Sequence, residues 1–273
     1  MTPTKKTPQD SSMIPDVQSE RDLRHLPIDH VGVKRLRYPI YFEDKFGVQP
    51  TIALCAANVM LPAEQKGTHM SRLVTIFEEM SVETPTHPLC VGGLKTWMAR
   101  LLERLDAPGG RIEISFDFFI RKAAPMSQIE STMDYRVHLC AEQKDGVYHE
   151  KITVNVPVTS LCPCSKRISD YGAHNQRSMA TVSVIPKTPL YIADLVRVGE
   201  EEASSELFAI LKRVDEKFVT ERAYDNPSFV EDLVRAMAQR LIADPNIQGF
   251  AVEAENFESI HNHSAYARIE HWG

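Results

Sequence analysis

The chain has 273 residues, 43% of them hydrophobic and 25% charged, with a net charge of −6. That is ordinary for a globular protein with one large domain or two smaller ones around a sizeable core, and the negative balance argues against bulk binding of nucleic acid while leaving room for a local basic pocket. The five cysteines (Cys55, Cys90, Cys140, Cys162, Cys164) are odd in number, no secretory n-region/h-region pattern opens the chain, and no apolar run approaches the ~20 residues of a membrane span. These features point to a reducing cytoplasm with thiols free or metal-bound.

Residues 1–25 are polar, rich in Pro, Ser and Thr, and without periodicity. They read as a disordered or loosely docked tail. Residues 30–43 and 48–60 read as two strands joined by a turn at Glu43–Gly47. Ser71 is the expected cap of a first helix whose stripe is Leu73, Ile76, Phe77 and Met80. A second helix carries Leu94, Trp97, Met98, Leu101, Leu102 and Leu105, and Pro108-Gly-Gly ends it. These apolar stripes are core, not a cofactor site. Two strands follow: Ile112, Ile114, Phe116, Phe118 and Ile120 alternate with polar residues, and so do Met133, Tyr135, Val137 and Leu139. The first half therefore reads ββααββ.

The second half repeats that order. Strands are expected at 147–158 and 178–187. A helix is expected over 200–219, with Leu207, Ile210, Leu211, Val214 and Phe218 on its stripe. Another is expected over 227–243, capped by Asn226 with Pro227 at its first position and with Phe229, Leu233, Met237 and Leu241 inward. Strands near 249–256 and 262–270 close the chain. Two ββααββ halves suggest a tandem duplication with an α+β architecture and open sheet edges. The boundaries expected are 1–25 for the tail, 26–145 for one module and 146–273 for the other.

The chemistry concentrates where the strand ending at Val158 runs into a loop. Cys162, Cys164 and His174 lie there with Lys166 and Arg167. On spacing alone two readings stay open. The thiols can be small buried hydrophobes, or the loop can be a metal-assisted site for an anionic substrate. Cys-x-Cys followed by a distant His is not a zinc-finger spacing, and extended Cys-x-Cys side chains splay apart. One thiol is then a ligand, with others supplied from elsewhere and one position open. His261 and His263 share a face if they lie on a strand, so both can reach one pocket. Glu216, Glu231 and Glu258 are the acids weighed; on a helix the default for the first two is a solvated face, and Glu258 has the better local argument.

Thr159-Ser-Leu-Cys-Pro-Cys-Ser-Lys166, Tyr171-Gly-Ala-His-Asn-Gln-Arg-Ser178 and Asn256-Phe-Glu-Ser-Ile-His-Asn-His-Ser-Ala-Tyr266 resemble the prokaryotic GTP cyclohydrolase IB family, as do Pro27-Ile-Asp-His-Val-Gly-Val33 and Gly67-Thr-His-Met-Ser-Arg72. The resemblance spans roughly residues 20–273. It implies a tunnelling fold (T-fold): two tandem ββαα-type modules whose antiparallel sheets close into barrels in a homotetramer. It implies conversion of GTP and water to 7,8-dihydroneopterin triphosphate and formate, at the head of tetrahydrofolate synthesis. It further implies Cys162, His174 and Glu216 as ligands of one divalent metal (Mn, Fe or Zn). Glu231 is implied as the guanine anchor, with His261 and His263 for proton transfer; Cys164 lies in the same motif as Cys162 and is taken as a further catalytic candidate. Lys166, Arg167, Arg177 and Arg72 are candidates for the triphosphate, with His69 beside them as a substrate contact. Partners implied are GTP and further copies of the chain, with no nucleic acid and no membrane. Two other readings are a tunnelling-fold NADPH-dependent nitrile reductase, using Cys162 or Cys164 as nucleophile without metal, and a non-catalytic metal-binding oligomer.

Overall fold

The computed structural model describes residues 16, 18 and 20–272. In chain order they form β1 (Ile28–Asp44), β2 (Gly47–Leu61), α1 (Met70–Glu83), α2 (Leu94–Leu105), β3 (Gly110–Ala123), β4 (Glu130–Lys144) and β5 (Val147–Leu161). Then come α3 (Pro163–Ile168), β6 (Asn175–Pro186), α4 (Ile192–Glu202), β7 (Ser205–Glu206), α5 (Arg213–Asp225), α6 (Val230–Ala243), β8 (Ile247–Asn256) and β9 (Ala265–His271). The expected tail lies largely outside the described residues. Of its described part, Arg21 bridges Gln65, and Asp22 N donates to the Glu64 carbonyl at 2.9 Å.

The strands form one antiparallel sheet in the order β1-β2-β3-β4-β5-β6-β8-β9, with the short β7 paired to β5. This corrects the expected T-fold of two tandem ββαα modules with sheets closing into barrels. β4 pairs with β5 from Arg136↔Asn155 to Lys144↔Val147, so the two halves are one continuous sheet. The link is the turn Asp145-Gly146, both at positive φ (53° and 78°). Asp-Gly with that backbone is a two-residue hairpin turn whose twist matches the strands it joins.

One face of the sheet carries the core. Ile112, Ile114, Phe116 and Phe118 of β3 and Tyr135, Val137 and Leu139 of β4 are buried, as their alternation predicts. They meet Leu73, Ile76, Phe77 and Met80 of α1 and Trp97, Met98 and Leu101 of α2. α4 and α6 cover the other half. In β2 the small residues Ala53, Cys55 and Ala57 face inward, while Ile52 is 67% exposed on the opposite face. α4 approaches so closely that a Cβ on Gly199 would meet Val156 Cβ at 3.0 Å.

Several helix boundaries differ from expectation. α1 begins at Met70 with His69 at its cap, and Ser71 lies inside, its carbonyl accepting from Thr75 Oγ1. α2 ends at Asp106 in the left-handed region (φ 49°), before Pro108. The helix expected over 200–219 does not form. Instead α4 starts at Ile192, capped from a distance by Asp44 Oδ2, which accepts from Ile192 N at 2.7 Å. Ala203, Ser204 and Ser205 then break the helix, because Ser205 and Glu206 pair with Thr159 and Val158. Of the expected stripe, Ile210 (49%), Val214 (56%) and Phe218 (37%) are exposed. α6 starts at Val230 rather than at Pro227. Asn226 ends α5, Asp232 Oδ2 accepts from Phe229 N at 3.2 Å, and Phe229 is exposed rather than on the stripe.

Antiparallel register gives the sheet two ends. Asp44/Gly47, Ala123/Glu130, Leu161/Asn175 and Asn256/Ala265 mark one. Ile28/Leu61, Gly110/Gln143, Lys144/Val147 and Pro186/Ile247 mark the other. β5 spans about 45 Å between them at ~3.3 Å per residue.

Candidate metal and substrate site

At the first of those ends β5 stops because Pro163 cannot donate to a ladder and suits the first position of a helix. α3 begins there, with Cys162 as its N-cap and Cys162 Sγ accepting from Ser165 N at 3.4 Å. Cys162 N donates to the His174 carbonyl at 3.1 Å, which closes the loop. Ser165 Oγ ties the same two residues, donating to the Cys162 carbonyl (3.1 Å) and accepting from His174 N (3.2 Å). Leu161, just before the thiol, is clamped from both sides: its N donates to Ser204 Oγ at 3.1 Å, and its carbonyl accepts from Ser228 N at 3.1 Å.

His174 is oriented by a buried polar chain. Its Nδ1 meets Gln176 Oε1 at 3.0 Å and Ser259 Oγ at 3.2 Å. Gln176 Nε2 donates to Ser160 Oγ (2.8 Å); Ser178 Oγ reaches Ser160 Oγ (3.0 Å) and donates to Asn256 Oδ1 (2.8 Å). With the Gln176 nitrogen committed to Ser160, its oxygen faces Nδ1. Nδ1 therefore carries the proton, and Nε2 keeps the lone pair that a metal needs.

Other sequence candidates gather at this end. His261 and His263 lie in the loop between β8 and β9, not on a strand, yet their rings stack at 5.2 Å and 20°. Phe257 N donates to the Arg177 carbonyl at 3.0 Å, which pins that loop to β6. Glu258 is half-buried in it, and Cys164 and Arg167 are exposed on α3. Lys166 Nζ donates to the Tyr224 carbonyl and sits 4.1 Å from the Tyr224 ring centroid. Glu231 is exposed in the first turn of α6. Glu216 is exposed in the first turn of α5, roughly 12 Å of helix from Tyr224 at 1.5 Å per residue.

The carboxyl beside Glu216 was missed by sequence reasoning. Asp215 is fully buried and accepts from Met126 N, Ser127 N, Ser127 Oγ and Lys212 N at 2.6–2.8 Å. Burial opposes its charge, but the Ser127 hydroxyl and the three N–H donors hold it well below the usual carboxylate range. It fastens the start of α5, and with it Glu216, to the β3–β4 turn.

His69 and Arg72 lie elsewhere. α1 starts at the far end of the sheet, after Leu61, and Arg72 Nη1 donates to the Arg104 carbonyl there at 3.5 Å. Nor do Cys162, His174 and Glu216 converge. Among the described residues, the His/Cys/Asp/Glu group whose donor atoms lie within 4.8 Å of one another is Glu113, His138 and Cys140, which could hold a metal ion.

Comparison with known proteins settles the family. The family described as Type I GTP cyclohydrolase folE2 matches residues 14–267. This chain belongs to it. "GTP cyclohydrolase FolE2" of Paraburkholderia xenovorans (strain LB400) is 54% identical over 259 residues, covering 94% of this chain and 95% of that protein. The protein of the same name from Cupriavidus pinatubonensis is 55% identical over 258 residues, covering 94% of each. In fold, the chain is similar to a hyper-thermostable AgUricase mutant, with a TM-score of 0.50 and 10% identity over 91% of this chain and 93% of that one.

Within the FolE2 family motif around His174, Gln176 and Ser178 were left without a role in the sequence reading. A signal existed: residues two apart in extended chain share a face, so Gln176, near the start of β6, follows His174 on the same side. Ser259 and Ser204 carried no such signal, since only the tertiary fold brings them to this loop. No helix among the described residues is long and apolar enough to cross a membrane.

Proposed function

We propose that this chain is a GTP cyclohydrolase I of the FolE2 type. It converts GTP and water to 7,8-dihydroneopterin triphosphate and formate, the first step of tetrahydrofolate biosynthesis. The observation that carries the reading is the family match over residues 14–267, with relatives named for that activity along nearly their whole length.

The donor chemistry of Cys162 and His174 fits a metal, although Glu216 does not meet them within this chain. Cys162 offers a half-exposed thiol at a helix start, and His174 presents a free Nε2 held by Gln176. Glu216 is the third ligand on this reading. One thiolate, one imidazole and one carboxylate do not select strongly among manganese, iron and zinc. Such an ion supplies Lewis acidity, lowering the pKa of water towards neutrality, which attack on the poorly electrophilic C8 of guanine requires.

The remaining work falls to side chains. Glu231 accepts two N–H bonds from the guanine edge. The Ser228–Leu161 bond supports this role, since it keeps the start of α6 beside Cys162. His261 and His263, stacked in an exposed loop, carry protons as the ring opens, formate leaves and the ribose rearranges. Lys166, Arg177 and Arg72 hold the triphosphate, and His69 is a further substrate contact.

This set requires more than one chain, and we take the assembly to be a homotetramer. Its support is that His69 and Arg72 start at the opposite end of the sheet from Cys162, so they reach the Cys162 site of another copy. The enzyme works in the cytoplasm, where its five free cysteines stay reduced. The test is Cys162→Ala: GTP turnover is abolished while the assembly stays intact, and normal turnover in that variant rejects the site.

A further inference from the structure

The face of the sheet turned away from the helices carries its own group of ligand-type side chains. Glu113 of β3 stands opposite Cys140 of β4, and Ser115 stands opposite His138. Their neighbours Ile112, Ile114, Leu139 and Ala141 are buried against the helices, so these four point to the other face. The donor atoms of Glu113, His138 and Cys140 lie within 4.8 Å of one another. Cys140 is 6% exposed, and the other two are half-buried.

We propose that Glu113, His138 and Cys140 form a second metal site, separate from the Cys162–His174 loop, that takes a divalent ion of the zinc class. The donor set argues for that class: thiolate and imidazole suit zinc-like ions, whereas calcium and magnesium take oxygen. The orientation is set as a ligand needs it. His138 Nδ1 shares a hydrogen with Ser115 Oγ at 2.8 Å, and Nε2 faces Glu113 Oε1 at 3.7 Å. Burial, outweighing the nearby Glu113 charge, pushes the His138 pKa down.

The charges around the group bear on its affinity. Arg111 donates to Glu113 Oε1 at 2.7 Å, and Lys151 and Arg136 face His138. Burial pushes the Cys140 thiol up while Arg111 pulls it down, and Glu142 adds negative charge nearby. Binding therefore releases the Cys140 proton. Three protein ligands leave a fourth position open. A groove of about 450 Å³, lined by His30, Gly32, Lys34, Asn58 and Arg111, reaches Glu113 of the group. The site is thus exchangeable rather than closed. It is also remote: Thr153 of β5, opposite His138, lies about 30 Å of extended chain before Cys162.

The test uses the full chain carrying Cys162→Ser and Cys164→Ser, stripped of metal and titrated with cobalt(II) alone. The proposal expects one cobalt per chain with a thiolate-to-cobalt charge-transfer band, and loss of that band when His138→Gln is added. No thiolate band, or a band that survives His138→Gln, overturns it. If the double variant does not fold, Cys140→Ser in the otherwise native protein serves: bound cobalt falls from two per chain to one, and an unchanged ratio overturns the proposal.

Discussion

The His174 ring meets the Gln176 side-chain oxygen at 3.0 Å, and this bond decides which imidazole nitrogen is free. Gln176 is itself held by Ser160, in a chain that ends at Asn256. Gln176→Leu removes the acceptor and lets the ring turn. Metal affinity at the Cys162 loop is expected to fall roughly 10–100-fold, as for other partners that orient a metal-bound histidine. Metal titration followed by calorimetry checks this, with the circular dichroism of the sheet unchanged.

A buried ion cluster fixes the break between α4 and α5. Lys122 Nζ lies 2.8 Å from Glu200, 2.5 Å from Glu206 and 3.0 Å from the Leu207 carbonyl, while Tyr135 donates to Glu200 at 2.6 Å. Lys122→Met leaves the buried Glu200 without its cation, while Glu206 keeps Arg222 Nη1 at 3.3 Å, and is expected to cost about 3–5 kcal/mol at neutral pH. Burial already raises the Glu200 pKa, so in the variant this carboxyl takes up a proton readily as the pH falls. The gap to the native protein in urea unfolding should therefore narrow as the pH is lowered from neutrality.

Asp215 gives the opposite sign. Its pKa is held below the value it has in the unfolded chain, so it stabilises the fold at pH values above the ordinary carboxylate range. That contribution declines as the pH falls below about 4. Asp215→Asn should lower the urea midpoint at neutral pH, and the difference from the native protein should shrink under acid conditions. It should also loosen the start of α5, read as faster amide exchange near Glu216.

The separation of His69 from Cys162 predicts complementation. His69→Ala and Cys162→Ala are each expected to be inactive. Oligomers mixed from equal parts of both should regain up to about a quarter of native turnover, because a site between two copies can then take its intact half from each. Activity measured after unfolding and refolding the mixture checks this; no recovery in verified mixed oligomers counts against a shared site.

These relationships differ in how readable they were. β3, β4, α1 and α2 announce themselves because each keeps one unbroken period: Ile112 to Ile120 alternate, and Leu73 to Met80 follow helical spacing. α4 does not, because its cap is Asp44, brought in from the β1–β2 turn. The run from Leu207 to Phe218 has helical spacing without being one helix, since Ser205 and Glu206 are taken by β5. A module boundary was expected between Asp145 and Gly146, but that these two residues form the turn welding both halves into one sheet depends on β4–β5 pairing. At the site, Cys162, His174 and the histidine pair stood out by residue type. That His69 and Arg72 lie at the far end follows only from strand order and register.

The most direct test of the account is GTP turnover by the metal-stripped protein with manganese, iron or zinc restored singly, followed as formate release and as pterin fluorescence after oxidation. The account predicts that both products appear together only once a metal is restored, and that Cys162→Ala gives neither. Folded, assembled protein that yields no product with any of the three metals would contradict it.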